Sequence, residues 1–281
     1  MPLFDEDFTS GKVINCMDKA FEKEILEVMD IFVSANKDVD TFYHYTTIDA
    51  LINGIIKERP QKGKEVCLRA THNRFVNDPE EIIKGARLYA QILEQYNSSK
   101  SADEHFKNIM RMYDNLFLIS FSEENDSLPM WNTYANKSAG ITIGFERMKS
   151  FSISDLVVKC IYGTDAFTKR LKMFLDSDKF KIGSYLLIYS FVQMLKNEAF
   201  EYENEIRLIG DFKKEPVKFR EKNGYIIPYK EIYFSKKQIK SITLGPCQNL
   251  DNAEYSLRQF LDSKGFEHVM IHKSKIPYRN I

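Results

Sequence analysis

The chain has 281 residues, of which 43% are hydrophobic and 28% are charged, and its 40 basic residues balance 40 acidic ones. This composition is typical of a soluble globular protein that buries a core, and the zero formal net charge argues against a chain that coats DNA or a membrane surface. The four cysteines are far apart and form no C-x-x-C pair, which indicates reduced thiols and excludes a zinc ribbon.

The N-terminal segment MPLFDEDFTSGK lacks the apolar region of a secretory signal, and no apolar run is long enough to span a bilayer. We therefore expect a cytoplasmic protein with no membrane partner.

The first part of the chain alternates predicted helices and strands. Apolar periodicity predicts helices over 19–35 and 48–55 and strands over 41–45 and 64–70. The sequence Asn77-Asp78-Pro79 predicts a helix start, because Asp78 can cap the helix and Pro79 suits its first turn. The helical sequence that follows predicts a helical insertion near 79–112.

Short strands dominate the rest of the chain, with a short helix over 129–136, a second helical insertion near 166–200 and a helix over 252–264. The predicted strands are 116–122, 140–145, 156–162, 203–212, 217–220, 225–228, 232–234, 241–245 and 268–272. Helices between groups of short strands, without a repeating β-α-β unit or a linker, indicate one α+β domain over residues 1–281.

The most informative motif is Glu203-Asn204-Glu205-Ile206-Arg207. As a strand, it places Glu203, Glu205 and Arg207 on one face. Such a pair of carboxylates is either a solvated polar face or part of a functional site.

Two other segments contain side chains suited to a ligand site. His44 lies between two tyrosines at a strand end, where it is either a structural histidine or a hydrogen-bonding partner of a ligand hydroxyl. Trp131 and Tyr134 share one face of a helical turn, either as a packed pair or as a wall on which a flat ring stacks. Ser120 and Ser122 point to the same face of their predicted strand.

Several catalytic signatures are absent from the sequence. There is no P-loop, no G-x-G-x-x-G, no G-x-S-x-G and neither of the common zinc motifs, H-E-x-x-H and H-x-E with C-x-x-C. The sequence therefore predicts no metal.

Residues 211–240 form a locally basic segment, with nine Lys or Arg against four Asp or Glu and six interleaved aromatic residues. Such a segment either consists of amphipathic strands with solvated lysines or binds a single-stranded nucleic acid.

Seven segments in order, over about residues 40–280, resemble the bacterial domain family of unknown function 2971. They are YHYT at 43–46, FVNDP at 75–79, ISFS at 119–122, MWNTYANKSAGITIGF at 130–145, YENEIRLI at 202–209, ITLGP at 242–246 and SKIPYR at 274–279. That family is similar to ADP-ribosyltransferases. The resemblance implies split antiparallel β-sheets around an NAD cleft, with helical insertions.

The resemblance to transferases with a His-Tyr-Glu triad implies catalytic roles for His44, Tyr134 and Glu205. Glu205 would stabilise an oxocarbenium-like cation, and Glu203 would act as general base on the acceptor. Tyr134 and Trp131 would sandwich nicotinamide, and Tyr43, Tyr45 and Trp131 compete with Tyr134 for this stacking role. The implied NAD-binding residues are His44, Tyr45, Thr46, Arg69, Ser120, Trp131, Tyr134, Arg207 and Arg279, with the three arginines as candidates for the pyrophosphate.

The expected function is the transfer of ADP-ribose from NAD, without a metal, to RNA, DNA or protein. The resemblance also implies a toxin of a bacterial toxin–antitoxin or phage-defence system, with a cognate antitoxin as a candidate partner. Two alternatives stay open: an NAD glycohydrolase, and a non-catalytic module that binds NAD or nucleic acid.

Overall fold

The computed structural model describes residues 39–58, 62–77, 81–96, 100–113, 115–136, 139–146, 155–176, 191–246 and 249–277. The predicted helix over 19–35, the predicted helix start at Asp78-Pro79 and the candidate Arg279 lie outside these residues. In the part of the chain that is described, no helix is both long and apolar enough to cross a membrane.

The described chain is a mixed α+β structure built on a large sheet that is mostly antiparallel. Its strands are β1 Thr41–Thr46, β2 Val66–His72, β3 Phe117–Ser122, β4 Ile141–Glu146, β5 Asp155–Lys159, β6 Ile161–Tyr162, β7 Leu195–Lys196, β8 Glu205–Gly210, β9 Lys218–Lys222, β10 Tyr225–Phe234, β11 Ile239–Leu244 and β12 Met270–Lys273. Its α-helices are α1 Ile48–Ala50, α2 Glu81–Tyr96, α3 Ala102–Tyr113, α4 Leu128–Tyr134, α5 Thr164–Leu175 and α6 Leu250–Ser263.

The strand order of the large sheet is β12-β11-β4-β1-β3-β2-β10-β9, and β8 and β5 branch from it at β3. Neighbouring strands in this sheet are antiparallel, except that β11 and β12 run parallel. The small second sheet pairs β6 with β7. The branch point makes β3 the strand around which the rest of the sheet is arranged.

The sheet splits along one edge of β3. On one edge, β8 pairs with β3 along its whole length. On the other edge, β1 pairs at Ser122 and β2 pairs at Phe117 and Leu118, so two strands share this edge at its opposite ends. The middle of the edge, Ile119–Phe121, pairs with neither of these two described strands. A strand edge with free backbone groups is thus left inside the sheet, where side chains or a ligand can satisfy it.

Two hydrophobic cores lie on the sheet. One lies between the helices α2, α3 and α5 and the strands β3, β5 and β8, and it contains the fully buried Tyr89 and Phe167. The other packs the long sheet against α6 and contains Phe42. Helix α6 buries Leu257 and Leu261, four residues apart, because positions at this spacing lie on one helix face.

The two predicted helical insertions differ in how they fold. The region near 79–112 contains α2 and α3. In the region predicted as helix over 166–200, α5 ends at Leu175 and residues 195–196 are extended, because β7 pairs with β6. A 3₁₀ helix, Glu198–Glu203, follows, so the strand predicted over 203–212 begins at Glu205.

Gly140 provides a test of how closely β1 and α4 pack beside β4. A Cβ added at this position would lie 2.4 Å from the Thr46 carbonyl oxygen and 2.7 Å from the Ala135 Cβ. We expect Gly140→Ala to lower the free energy of unfolding by about 1 to 3 kcal/mol, as overpacking of a core does. Urea denaturation checks this, with Gly54→Ala as the control, because a Cβ at Gly54 would have its nearest neighbour at 3.8 Å. Equal stability of the two variants would contradict the packing.

Candidate active site in the split of the sheet

A cavity of about 530 Å³ lies at the split of the sheet. Side chains from four separate sequence motifs line it, among them His44, Ser120, Tyr134, Glu203 and Glu205. Ligand pockets are commonly about 300 to 1,000 Å³, so the cavity is large enough for a nucleotide-sized ligand. The fold therefore brings most of the predicted site residues to one place.

Glu205, the first residue of β8, is the centre of a buried charge cluster. Its side chain is only 4% exposed, so this position is not a solvated polar face. Its Oε2 accepts hydrogen bonds from Lys196 Nζ at 2.6 Å and from Arg207 Nη2 at 2.8 Å. The Cys160 thiol donates to the same oxygen at 3.4 Å. Glu205 and Arg207 are two residues apart on β8 and face the same side of the sheet, as predicted, because strand side chains alternate.

The two cations keep Glu205 ionised. Burial by itself would raise its pKa, but Arg207 and then Lys196 hold the pKa of this carboxyl well below its usual range. Burial likewise raises the pKa of the Cys160 thiol, which stays protonated and can donate. A carboxylate with such a low pKa is a poor proton acceptor, but it is a fixed negative charge at the cavity wall.

Arg207 is held by carboxylates on both sides. Its Nη2 also donates to Glu81 Oε2 at 2.7 Å, and its Nη1 donates to the Gln193 carbonyl oxygen at 2.8 Å. The side chain is 2% exposed. Arg207 was a candidate for the pyrophosphate, but these contacts commit its guanidinium to the acidic residues and make it a positioning residue for Glu205.

Glu203 reaches the same cluster from the end of the 3₁₀ helix and not from a shared strand. Its Oε2 accepts from Lys196 Nζ, and its Oε1 accepts from the Tyr134 hydroxyl at 2.7 Å. Asn204 makes the turn between the two glutamates with a left-handed backbone, φ 41° and ψ 50°. Asparagine tolerates this conformation better than other residues with a Cβ, which explains its place in the motif. The prediction of one strand face was wrong for Glu203.

Tyr134 connects two of the motifs. It lies at the end of α4, and its hydroxyl donates to Glu203 and accepts from Asn77 Nδ2 at 2.7 Å. Burial and the charge of Glu203 raise the pKa of its phenol far above the usual value, so the hydroxyl stays protonated. The half-buried ring of Tyr134 lines the cavity.

His44 bridges the split itself. Its Nδ1 lies 3.0 Å from the Ser120 carbonyl oxygen, in the unpaired middle of β3. Burial lowers the pKa of His44, so the imidazole is neutral at neutral pH. A carbonyl oxygen can only accept, so Nδ1 carries the proton and Nε2 is left as a hydrogen-bond acceptor. Ser120 is exposed to the cavity beside it.

The remaining predicted residues of this region support the site in different ways. Thr46 is buried at the cavity wall. Tyr45 also lines the cavity, but its hydroxyl donates to the Glu124 carbonyl oxygen and its ring packs edge-on against Trp131. Trp131 is fully buried and its indole nitrogen donates to Asp126, so it has no free ring face for nicotinamide. Of the predicted aromatic pair, only Tyr134 reaches the cavity.

Two arginines give the opposite side of the cavity a positive charge. The guanidinium carbons of Arg69 on β2 and Arg220 on β9 lie 5.2 and 5.8 Å from the ring centroid of Tyr229. Among the described residues neither has a carboxylate partner, and Arg220 donates only to the Thr71 hydroxyl, at 3.1 Å. Burial and then the charge of Arg69 lower the pKa of Arg220. A bound anion would relieve this repulsion.

Sequence reasoning missed several members of the charge cluster. Lys196 lay in a predicted helix, and Glu81 lay in a helix 126 residues away from Arg207 in sequence. No local pattern connects these residues, because only the fold brings β7 and α2 next to β8. Within the described residues, no group of three His, Cys, Asp or Glu is arranged to hold a metal ion.

The ionised state of Glu205 leads to a prediction about acid stability. The folded pKa lies below the ordinary value of 4.5, so its stabilising contribution is complete above pH 4.5 and is lost as the pH falls toward the folded pKa. We expect the stability difference between the wild type and Glu205→Gln to shrink by at least about 1.4 kcal/mol on acidification, the equivalent of one pKa unit. Urea denaturation across pH measures it. A constant or growing difference would show that Glu205 is not held ionised.

Part of this site lies in a segment of the chain that matches a family model. Residues 130–208 match the family model described as "Protein of unknown function (DUF2971)". No curated protein and no solved structure matches the chain. The matched segment contains Tyr134, Lys196, Glu203, Glu205 and Arg207, and it supports the resemblance to this family that the motifs indicated.

Proposed function

We propose that this chain is an NAD-dependent ADP-ribosyltransferase that modifies a macromolecule, and that it acts as the toxin of a toxin–antitoxin or phage-defence system. One observation carries the enzymatic part of the proposal. The Glu205 carboxylate is fixed and ionised in the wall of a nucleotide-sized cavity, beside Glu203 and Tyr134. The resemblance to transferases with a His-Tyr-Glu triad supplies the reaction class.

The charge of the cluster suits the cation that this reaction forms. Three carboxylates, Glu81, Glu203 and Glu205, face two cations, Lys196 and Arg207, so the cluster carries one formal negative charge in excess. Cleavage of the bond between nicotinamide and ribose leaves positive charge on the ribose, and nicotinamide departs with the bonding electrons. A preorganised negative charge at this point stabilises the transition state more than the ground state.

The two glutamates would have different roles. Two cations and a thiol already occupy Oε2 of Glu205, and its low pKa makes it a charge stabiliser, with Oε1 toward the ribose hydroxyls. Glu203 would take the proton that the acceptor loses when its oxygen or nitrogen attacks the ribose carbon. Tyr134 would present its ring to nicotinamide.

The other end of the cavity suits the rest of the dinucleotide. Arg69 and Arg220 have no carboxylate partner among the described residues, and two guanidinium groups match the geometry of a pyrophosphate. His44, with Nε2 as an acceptor, would bind a ribose hydroxyl between the two ends. Glu205 at the centre of the acidic cluster comes from β8 and the arginines come from β2 and β9, on opposite sides of β3, so a ligand that reaches both must cross the split.

Nicotinamide release from labelled NAD tests the proposal. We expect purified wild-type protein to release nicotinamide and Glu205→Gln to be slower by about a hundredfold or more, the usual loss when a preorganised electrostatic group is removed. Glu201→Gln is the matched control, because Glu201 is an exposed glutamate on the neighbouring 3₁₀ helix. Total cellular RNA, total cellular DNA in single-stranded form and total cellular protein are supplied as separate acceptors.

The distribution of the label separates the possible outcomes. Label on RNA, DNA or protein that depends on Glu205 supports a transferase. Release with no labelled acceptor indicates an NAD glycohydrolase and contradicts the transfer step. No release from NAD under any condition, or equal release by Glu205→Gln, contradicts the proposed function altogether.

A further inference from the structure

The β9–β10 hairpin presents a rigid surface next to the cavity. Its strands pair in register from Lys218 opposite Tyr229 to Lys222 opposite Tyr225. Asn223 and Gly224 form the two-residue turn with φ of 53° and 79°. Two positive φ angles are typical of the hairpin turn whose twist matches that of the strands, so the hairpin holds its side chains in fixed positions.

Three tyrosines lie along one face of β10 and form what we call the tyrosine stripe: Tyr225, Tyr229 and Tyr233. They share a face because strand side chains alternate and the three are four residues apart. At about 3.4 Å per residue, the stripe extends over about 27 Å. The register gives Arg220 and Lys222 of β9 and Arg69 of β2 the same face, and these three residues also line the cavity. The stripe is therefore continuous with the cavity.

Each tyrosine of the stripe has at least one cation beside it. Lys222 is the cross-strand partner of Tyr225, which is 66% exposed. Arg69 and Arg220 lie over Tyr229. Lys64 Nζ lies 5.2 Å from the ring centroid of Tyr233.

The stripe has a large excess of positive charge. Glu231, between two of the tyrosines, forms ion pairs with both Lys57 and Lys218. With Lys64, Arg69, Arg220 and Lys222 this makes six cations near the stripe, against the carboxylates of Glu231 and of Glu215, whose charge acts on Tyr233. The pyrophosphate of NAD would neutralise only two of these charges, so binding of NAD leaves the stripe positive.

Three other basic residues between 211 and 240 have partners away from this surface. Lys213 pairs with Asp211 and Lys240 pairs with Glu146. Lys230 is buried and donates to the Asp211 and Phe212 carbonyl oxygens. Of the basic residues in this segment, those beside the tyrosine stripe are therefore the ones that can bind a ligand of the stripe.

We infer that the tyrosine stripe binds a single-stranded nucleic acid and delivers it to the cavity as the acceptor of ADP-ribose, an inference that rests on the proposed function for the transfer step. Tyr229 is buried beneath Arg69 and Arg220, but the exposed Tyr225 and the half-buried Tyr233 offer rings to bases, and the cations between them fit the phosphates of the same strand. An acidic peptide would use the cations but would leave the rings without partners. A duplex would keep its bases stacked on one another and away from the tyrosines.

Binding of labelled oligonucleotides tests this inference without any turnover of NAD. Fluorescence anisotropy would be measured on the full chain carrying Glu205→Gln, with single-stranded RNA, single-stranded DNA and duplex DNA of mixed sequence, over a range of salt concentrations. The test variant adds Lys64→Gln, Lys222→Gln and Tyr225→Ala. The matched control adds Lys84→Gln, Lys107→Gln and Tyr255→Ala, which remove the same side chains from exposed positions on other elements.

We expect a single strand to bind more tightly than the duplex, and the test variant to bind it at least about tenfold more weakly than the control. For the test variant, the slope of log K against log salt should become shallower by about 1.4, because two phosphate contacts to a single strand are lost. The comparison of RNA with DNA shows which sugar the site accepts. Circular dichroism of both variants establishes that they are folded.

Three results would overturn the inference: no binding of any oligonucleotide, equal binding by the test and control variants, or preference for the duplex. Failure of the proposed function would appear separately, as absent nicotinamide release by the wild type. If wild-type protein transfers label to protein and not to nucleic acid, the transferase stands and the stripe is not its acceptor site.

Discussion

The contact of the Glu205 carboxylate with Lys196 and Arg207 is the interaction on which the candidate site depends. It joins β8 to β7 at one carboxylate oxygen, and Arg207 in turn joins this contact to Glu81 of α2, so three separate parts of the chain meet in one cluster. Burying these charges costs free energy that only their mutual contacts offset, and loss of one partner leaves the others uncompensated. Such a cluster is a weak source of stability. It is, however, an effective way to hold one ionised carboxylate in place beside a cavity.

The split along β3 forms the cavity that Glu205 faces. Because β1 and β2 pair with opposite ends of one edge, the sheet leaves a gap there, bridged by the bond from His44 to Ser120. The negative cluster lies on the β8 side of β3, and Arg69 and Arg220, which have no carboxylate partner among the described residues, lie on the β2 side. The cavity therefore has one end suited to a cation and another suited to phosphates, which is the charge pattern of a dinucleotide with a positively charged ring.

The sequence predicted the positions of His44 and Glu205 because both lie on strands, where local alternation decides which side chains share a face. Predictions from the sequence failed for residues whose structure depends on contacts with distant parts of the chain. Lys196 was predicted to be helical, but it lies on β7, which pairs with β6. Glu203 was predicted to lie on a strand, but it ends a 3₁₀ helix because Asn204 turns the backbone. Trp131 was predicted to stack on a ligand ring because tryptophan suits that role. It is buried instead, partly by Tyr45, which lies on another element. The order of predicted helices and strands was enough to predict a mixed α+β architecture. It could not predict that β7 and α2 contact β8.

The most direct test of the two-ended cavity is calorimetric binding of NAD, ADP-ribose and nicotinamide riboside to the Glu205→Gln chain, with and without Arg220→Gln. We expect NAD to bind, and we expect Arg220→Gln to weaken the binding of NAD and ADP-ribose by about tenfold, the usual effect of losing a hydrogen bond to a charged group. Nicotinamide riboside, which has no phosphate, should bind both proteins equally. Failure of NAD to bind, or an equal effect of Arg220→Gln on all three ligands, would contradict the assignment of the cavity to a dinucleotide.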